Sequence, residues 1–432
     1  MLISPLSSPL SASVTVPGSK SLTNRALLIA ALAKGTTRLT NALFSDDSRY
    51  FAKALQTLGF DLTLDESAHE RSSSTVEMQI IGLGGQIPAP SAELFIGNAG
   101  TAARFLSAFL TLGHGQYILD GDPRMRERPI GDLVDALTQL GARVETTASK
   151  CPPVTIAASG LPGGKTSIAG DISSQFLSAL LMVAPYAQKP IEITLTTDLN
   201  SKPYVDMTLA IMQDFGVTVE RNGYQSFKIP LATYHLPITP YPIESDASAA
   251  SYFFAAPAIC GGTVRVENIS RRSVQGDIAF LDVLEKMGCT VTEADNAITV
   301  NCQSPITGID IDMRDIPDTA QTLAAIAPFA DSPTRIRGIA SARIKETDRV
   351  AATCTELARL GVRVEEHSDG MTIHPCSNFH PAAVQTYNDH RMAMAFSLIG
   401  LRVPGVDIQN PGCVSKTFPN FFEVLATLDP EI

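Results

Sequence analysis

The residues of this chain best suited to chemistry are its clustered cations. The 432-residue chain has a formal net charge of −11, yet its lysines and arginines concentrate in short motifs beside Gly, Pro, Asn or Ser. An isolated cation is usually solvated surface charge. Recurrence in similar motifs instead favours phosphate or carboxylate binding, because arginine supplies a hydrogen-bonding fork and lysine a point charge. The clustered cations are Lys20, Arg25, Arg104, Arg124, Arg126, Arg128, Lys202, Arg343, Lys345, Arg349, Arg391 and Lys416.

Two carboxylates are candidates for proton transfer. Asp318, in IPDTAQT, begins a predicted helix, where an acid is as often a cap as a catalyst, and both roles stay open. Glu346 lies between Lys345 and Arg349. An acid flanked by cations is suited to moving a proton, so a functional role is favoured for it.

Neutral polar residues open three of the predicted helices. In PGSKSLTNR, Ser21 either contacts an anion together with Lys20 and Arg25 or caps the helix. The motif lacks the first glycine of a P-loop, which argues against an ATPase. At another helix start, Ser173, Ser174 and Gln175 are donors that suit phosphate or hydroxyl groups, with helix capping as the alternative. Asn98, Gly100 and Thr101 open the third helix, where Gly100 either packs closely or leaves room for a ligand to approach the backbone.

A repeat positions these residues. An amphipathic helix, a glycine and an alternating strand recur five times, and a sixth copy, NFFEVLATL, loses its strand. Each such helix follows a more apolar one with a polar start, so the unit reads strand–helix–strand–helix–strand. We predict two α/β domains of three units, joined near residues 234–245. The apolar helices should be buried, and their positive N-termini should gather into an anion site. The repeat glycines are Gly59, Gly141, Gly216, Gly288 and Gly361.

Composition excludes several classes of function. The acidic charge argues against nucleic-acid or acidic-membrane binding, and no apolar stretch is long enough to span a membrane. The N-terminus has neither a secretory pattern nor the arginines of a transit peptide, so we expect a cytoplasmic protein. Seven scattered cysteines and seven histidines show no metal-ligand spacing, and we predict no metal site.

In these motifs the chain resembles the 5-enolpyruvylshikimate-3-phosphate synthases (3-phosphoshikimate 1-carboxyvinyltransferases) of the enolpyruvyl transferase family. The matching segments follow the family's order along nearly the whole chain. The resemblance implies two inside-out α/β domains that close over the substrates, with the first strand crossing into the C-terminal domain. We expect residues 20–240 to form a domain binding mainly shikimate 3-phosphate. Residues 1–19 plus 241–432 should form one that supplies phosphoenolpyruvate-binding and catalytic groups. The matching segments are PGSKSLTNRAL, LFIGNAGTAAR, DGDPRMRERPI, DISSQFLSALLM, SKPYVDMT, IPDTAQT, RIKETDR, YNDHRMAM and VSKTFP.

The resemblance also implies the reaction. The enolpyruvyl group of phosphoenolpyruvate would pass to the 5-hydroxyl of shikimate 3-phosphate by addition and elimination, releasing phosphate, with no metal or cofactor. Residues carried over as catalytic are Lys20, Asp318, Glu346 and Lys416, with Asp318 as base and Glu346 or Lys20 delivering the proton. Those for shikimate 3-phosphate are Lys20, Ser21, Arg25, Ser173, Ser174, Gln175, Tyr204, Asp318, Ser341 and Lys345. Those for phosphoenolpyruvate are Lys20, Gly100, Arg124, Gln175, Arg349, Arg391 and Lys416.

Two residues differ from those of other family members, and two alternative functions have to be compared with the one that the resemblance implies. Ser341 and Phe105 stand where other members carry Asn and Pro, which leaves the substrate contact of Ser341 and the position of the Gly100 helix open. The nearest rival, UDP-N-acetylglucosamine enolpyruvyl transferase, uses a cysteine in the loop matching DGDPRMRERP, which has none here. A non-catalytic repeat scaffold fits the acidic charge poorly. The resemblance further implies a monomer with small-molecule substrates, and competition by glyphosate at Gly100.

Overall fold

The chain folds as two compact units. The computed structural model describes residues 1–65, 74–235, 240–303 and 305–429. Of these, 1–17, 74 and those from 244 onward form one unit, called here the carboxy-terminal unit. The described residues between 18 and 243, apart from 74, form the amino-terminal unit. The chain therefore passes from one unit to the other after Pro17 and again after Ile243, within three residues of the predicted boundaries.

Three four-stranded sheets surround the amino-terminal unit, each with one parallel and two antiparallel pairings. With strands numbered along the chain, the first sheet contains β2 (Lys34–Leu43), β3 (Leu62–Asp65), β4 (Thr75–Leu83) and β13 (Tyr241–Pro242). The second contains β5 (Ser91–Phe95), β6 (His114–Asp120), β7 (Val144–Glu145) and β8 (Val154–Ser159). The third contains β9 (Gly164–Ile168), β10 (Ile191–Leu195), β11 (Glu220–Asn222) and β12 (Ser226–Ile229).

The carboxy-terminal unit repeats this plan with a smaller third sheet. Its first strand is β1 (Leu10–Thr15), which pairs in parallel with β14 (Gly262–Glu267), so the predicted crossing of the first strand is confirmed. The same sheet holds β15 (Thr290–Ala294) and β16 (Ala297–Cys302). The second sheet holds β17 (Asp310–Asp312), β18 (Thr334–Arg337), β19 (Val364–His367) and β20 (Gly370–Ile373). The third holds only β21 (Ala382–Val384) and β22 (Val406–Ile408).

Six apolar helices lie inside these sheets, as predicted. A helix that is apolar on every side must be buried on every side, and in α11 every residue from His390 to Gly400 is buried. The three central helices of each unit pack against one another. In the amino-terminal unit they are α1 (Lys20–Leu32), α3 (Gly100–Leu110) and α5 (Ser174–Val183). In the carboxy-terminal unit they are α7 (Ala247–Cys260), α9 (Ala320–Ile326) and α11 (His390–Gly400).

Amphipathic helices alternate with the buried ones along the chain. The five repeat glycines follow the first five of them with φ between +84° and +101°, the left-handed region where a side chain is strained. This confirms the predicted glycine turn between helix and strand. The amphipathic helices are α2 (Asp46–Thr57), α4 (Gly131–Gln139), α6 (Lys202–Asp214), α8 (Phe280–Lys286), α10 (Arg349–Arg359) and α12 (Phe421–Ala426).

The predicted repeat unit has one strand fewer than the observed unit. The predicted connection between the two domains, near residues 234–245, is longer than the observed one. In five copies the strand after the glycine turns back into a further antiparallel strand, as β19 does into β20 at Ser368 and Asp369. Tyr234 is buried in the amino-terminal unit, and β13 pairs with β2. Both ends of the predicted connection thus belong to that unit as far as Ile243, while residues 236–239 lie outside the described part. Within the described residues, every helix is too short or too polar to cross a membrane.

Candidate active-site clusters

The buried helices of each unit begin at the same end. In the amino-terminal unit, Asn24 Nδ2 donates to Thr101 Oγ1 at 2.6 Å and Arg25 Nη2 to Ser178 Oγ at 3.4 Å. These bonds join the first halves of α1, α3 and α5. In the carboxy-terminal unit, Ser251 and Thr322 hydroxyls lie 3.1 Å apart and join the first halves of α7 and α9. Each unit therefore gathers positive helix N-termini at one end, a setting that favours anions.

Lys20 is the first residue of α1 and lies beside a buried carboxylate. Its Nζ is 3.6 Å from Asp47 Oδ2, with the side chains 14% and 3% exposed. Asp47 comes from the first turn of α2 and holds the ammonium group near the start of α1. The helix cap is Ser19, whose hydroxyl accepts from Leu22 N at 3.4 Å. Capping is therefore not the role of the half-buried Ser21.

Arg25 is almost completely buried. Its guanidinium donates to Thr208 Oγ1 at 2.8 Å, Ser21 O at 2.9 Å, Tyr204 O at 3.2 Å and Ser178 Oγ. Burial lowers its pKa to about 10, so it stays charged at neutral pH. The group lies 5.3 Å from the ring centre of Phe105, and this ring is fully buried within the regular helix α3. The bulky residue at position 105 thus packs under Arg25.

Gly100 begins α3 directly against an arginine that the site prediction omitted. A methyl group at Gly100 would lie 2.5 Å from Arg128 Nη2. Arg128 is buried, and its Nη1 donates to Asn98 O at 3.0 Å and Asn98 Oδ1 at 2.9 Å. Arg124, the predicted residue of the same loop, is one-third exposed and pairs with Glu127 at 2.8 Å.

The three polar residues at the start of α5 differ in role and in burial. Ser173 is the cap, since its hydroxyl accepts from Gln175 N at 3.3 Å. Ser174 is buried, whereas the side chain of Gln175 is half-buried. Tyr204, on α6, is also half-buried and gives its backbone carbonyl to Arg25. These residues and those of α1 lie on helices that contact one another.

Ion pairs join most of the predicted residues of the carboxy-terminal unit. Asp318 lies in the 3-10 turn Pro317–Thr319 that leads into α9. Its Oδ1 is 2.5 Å from Lys345 Nζ and 3.2 Å from Arg349 Nη1, and its Oδ2 is 2.8 Å from Arg391 Nη2. Three cations from three further elements thus converge on one carboxylate. Asp318 lies two residues before the start of α9 and makes three ion pairs, so its role is not limited to capping.

Arg349 links two more carboxylates to this centre. Its Nε and Nη2 hold Asp389 at 2.7 and 3.2 Å, and Nη2 holds Glu346 at 2.9 Å. Asp389 has no exposed surface and also caps α11. Burial acts to lower the pKa of Arg349, but the charges of Asp389, Glu346 and Asp318 more than offset it and raise that pKa above its usual value. A bidentate buried pair of this kind fixes geometry as well as charge.

The remaining predicted residues of this unit lie near its turns. Burial lowers the pKa of Lys345, against the opposing effect of Asp318. Ser341 is half-buried in the 3-10 helix Ala340–Ile344 that precedes Lys345. Lys416 is buried at the end of the 3-10 helix Pro411–Lys416, which packs against α11.

The residues assigned to substrates or catalysis did not include several charged groups that hold them, and of these only Arg128 had been named, among the clustered cations. Asp389 holds Arg349, Asp47 holds Lys20, and Arg128 packs on Gly100. A fourth, Asp277, is buried and accepts a hydrogen bond from Ser248. Alignment of the repeats gives a signal for Asp389, because SDASA, PDTAQ and NDHRM each place an aspartate at the start of a buried helix.

These two clusters suit the chemistry of anionic substrates. Cations bind phosphate and carboxylate groups, and the serine and glutamine side chains of α5 bind phosphate or hydroxyl groups. Asp318 and Glu346 are carboxylates placed among cations, which are the residue types that general acid–base chemistry uses. Within the described residues, His, Cys, Asp and Glu do not form a group of three that could hold a metal ion.

The chain matches known proteins over almost its whole length. The family model described as EPSP synthase (3-phosphoshikimate 1-carboxyvinyltransferase) covers residues 6–425. The 3-phosphoshikimate 1-carboxyvinyltransferase of Trichormus variabilis is 50% identical over 418 residues, which is 96% of each chain. That of Shewanella denitrificans is 50% identical over 420 residues, 97% of this chain and 96% of the other. A solved structure of EPSP synthase from Acinetobacter baumannii matches with a TM-score of 0.78 at 25% identity, covering 99% and 98% of the chains.

Proposed function

Since the chain belongs to the EPSP synthase (3-phosphoshikimate 1-carboxyvinyltransferase) family, we propose that its two charged clusters carry out the reaction of that family. The enzyme transfers the enolpyruvyl group of phosphoenolpyruvate to the 5-hydroxyl of shikimate 3-phosphate and releases phosphate. This is a step towards chorismate and the aromatic amino acids. The predicted function is confirmed at this level, and the roles of individual residues are the content of the proposal.

Substrate binding is divided between the clusters in this proposal. Lys20, Ser21, Arg25, Ser173, Ser174, Gln175 and Tyr204 bind shikimate 3-phosphate, together with Asp318, Ser341 and Lys345. Phosphoenolpyruvate is held by Lys20, Gly100, Arg124, Gln175, Arg349, Arg391 and Lys416. Arg25 makes four hydrogen bonds within the protein. Its contribution to binding is therefore a fixed positive charge more than a free fork.

The observation that carries the catalytic proposal is the placement of Asp318 among three cations. Its carboxylate takes the proton of the 5-hydroxyl while the hydroxyl oxygen attacks C2 of phosphoenolpyruvate, and C3 gains a proton. Loss of phosphate and of one C3 proton from the tetrahedral intermediate then gives the product. When Arg349 and Arg391 bind an incoming anion, they stabilise the Asp318 carboxylate less, just as it has to accept a proton.

Glu346 delivers the proton to C3, and Lys20 is the alternative. Glu346 is buried and bonded to Arg349, and Lys20 is the ammonium group held by Asp47. The two assignments differ in their test, because Glu346→Gln lowers kcat sharply only if Glu346 is the donor. A kcat within a few-fold of the parent would assign the step to Lys20.

The test of the reaction is phosphate release from phosphoenolpyruvate with and without shikimate 3-phosphate. Release should require both, and Asp318→Asn should lower kcat by about 100- to 10,000-fold, the usual size of a lost acid–base group. Asp331→Asn is the matched control, since Asp331 is an exposed acid beyond the other end of the α9 segment. Release with UDP-N-acetylglucosamine instead of shikimate 3-phosphate would overturn the substrate assignment.

The proposal also covers cellular state. We expect a monomer acting in the cytoplasm, where a reducing environment suits the seven cysteines, all of which are thiols. Its partners are its two small anionic substrates.

A further inference from the structure

Asp277 is a buried carboxylate close to the ion-pair cluster. It lies in the 3-10 helix Gly276–Ala279, with 4% of its surface exposed. This turn packs against α7, and so does the turn that carries Asp318. Ser248, in the first turn of α7, donates its hydroxyl to Asp277. α7 therefore brings Asp277 and Asp318 to the same end of the unit.

The charged groups that act on Asp277 come from three elements. They are Asp318 from the turn before α9, Arg391 from α11 and Asp246 from the start of α7. Burial and the charge of Asp318 raise the pKa of Asp277 to about 6, while Arg391 and the Ser248 hydroxyl oppose that rise. Asp277 thus changes charge close to neutral pH.

This change alters the charge balance of the cluster. The ion pairs already described join three carboxylates (Asp318, Glu346 and Asp389) to three cations (Lys345, Arg349 and Arg391). Ionised Asp277 adds a further negative charge beside these six groups, and protonated Asp277 adds none. Arg391 pairs with Asp318 and also donates to the Tyr252 hydroxyl at 3.4 Å. Tyr252 lies one turn along α7 from Ser248, which donates to Asp277, so α7 brings Asp277 and Arg391 close together.

We propose that Asp277 is a positioning residue for phosphoenolpyruvate, because its negative charge competes with this substrate for Arg391. The inference rests on the proposed function, which assigns Arg391 to that substrate. Ionisation of Asp277 draws Arg391 away from an incoming anion and adds a repulsive charge. The KM for phosphoenolpyruvate therefore rises as the pH passes upward through the titration of Asp277, while kcat is little changed.

The experiment compares KM for phosphoenolpyruvate from pH 5 to 8, at saturating shikimate 3-phosphate, in the parent, Asp277→Asn and Asp282→Asn. Asparagine reproduces the neutral form, so the ratio of parent KM to Asp277→Asn KM should grow from near one at pH 5 to roughly three- to tenfold at pH 8. Taking this ratio cancels the ionisation of the substrate itself. Asp282 is a neighbouring acid on α8 that pairs with Arg271 at 2.7 Å, and its variant should follow the parent at every pH.

Ser248→Ala supplies a second test, because it should shift the rise in KM along the pH scale instead of removing it. The Ser248 hydroxyl stabilises the ionised carboxylate, so its removal should move the rise in KM to higher pH. This variant also carries the test if Asp277→Asn does not fold. Identical KM profiles in the parent and Asp277→Asn, or an unmoved profile in Ser248→Ala, would overturn the inference alone. A parent enzyme that releases no phosphate from the two substrates would overturn the proposed function and this inference together.

Discussion

Substitution of Gly100 by alanine tests the packing of α3 against Arg128. The backbone at Gly100 is helical, so alanine is not strained there and gains up to about 1 kcal/mol of helix propensity. Its methyl group, however, would lie 2.5 Å from Arg128 Nη2 and 3.0 Å from Cζ. The guanidinium has to move by nearly 1 Å to reach an ordinary contact distance.

The cost of this movement follows from the bonds that hold Arg128. Its two hydrogen bonds to Asn98 are 3.0 and 2.9 Å long, and a hydrogen bond to a charged group contributes about 1.5–3 kcal/mol. Loss of one bond, less the gain in helix propensity, gives a net decrease of about 1–2 kcal/mol in the free energy of unfolding. Since Gly100 is proposed to bind phosphoenolpyruvate, disturbance of the guanidinium beside it should also raise KM for that substrate.

The assay is urea unfolding of the parent, Gly100→Ala, Arg128→Ala and the double variant. If the methyl group acts through the guanidinium, alanine at position 100 should cost nothing once Arg128 is removed, and it should even stabilise the protein by its helix propensity. The same cycle measured in KM for phosphoenolpyruvate reports on the site. Additive costs in both quantities would refute the contact with Arg128 as the cause.

Three further substitutions have directions set by the structure. Arg349→Lys keeps the charge but loses the two-pronged bond to Asp389, and we expect a loss of about 3 kcal/mol of unfolding free energy, measured in urea, together with a higher KM for phosphoenolpyruvate. Arg25→Lys keeps the positive charge but removes the bond to Thr208, so KM for shikimate 3-phosphate should rise only about fivefold in steady-state assays, the effect of one lost hydrogen bond of about 1 kcal/mol. This rise should change little between pH 6 and 8, because the parent side chain stays charged there. Asp277 has a raised pKa in the folded state, so its stabilising contribution is complete below the unfolded pKa and lost as the pH rises through about 6. Relative to the parent, Asp277→Asn should therefore gain up to about 3 kcal/mol between pH 4 and 8, and a pH-independent difference in urea unfolding would contradict this.

Local signals account for what the sequence predicted well. The period of the apolar residues marks both kinds of helix, and a glycine that needs a positive φ marks each turn, so Gly59 and its equivalents were identified without any knowledge of their neighbours. The hairpin strands β12 and β20 were missed because four residues carry too weak a pattern. Strand length does not explain why β4 was missed, since it has nine residues. Capping of α1 was one of two roles left open for Ser21, and the structure gives it to Ser19, because the two serines flank Lys20 and local sequence does not distinguish them.

The charged neighbours were harder to predict because they depend on packing. Lys20 and Asp47 come from different helices, as do Arg349 and Asp389, and Arg128 reaches Gly100 from a separate turn. Nothing in the spacing of these residues states that they meet. Asp277 is the clearest example, since its raised pKa depends on burial and on the nearby charges of Asp318, Arg391 and Asp246. The family resemblance supplied candidates for substrate contact but not the groups that hold those candidates in place.

The pairing of β1 with β14 has a consequence during synthesis. Leu10 lies opposite Gly262, so roughly 250 residues have to be made before the first strand has a partner, or about 12–50 s at ordinary translation rates. The amino-terminal unit has all its strands by residue 242 and is free to fold during that wait. The amino-terminal unit is thus synthesised in full before the rest of the carboxy-terminal unit. Strand β1 stays exposed until β14 has been made and the sheet that holds both strands begins to form. Slowed translation between residues 243 and 267 should lengthen that exposure and increase aggregation of the nascent chain.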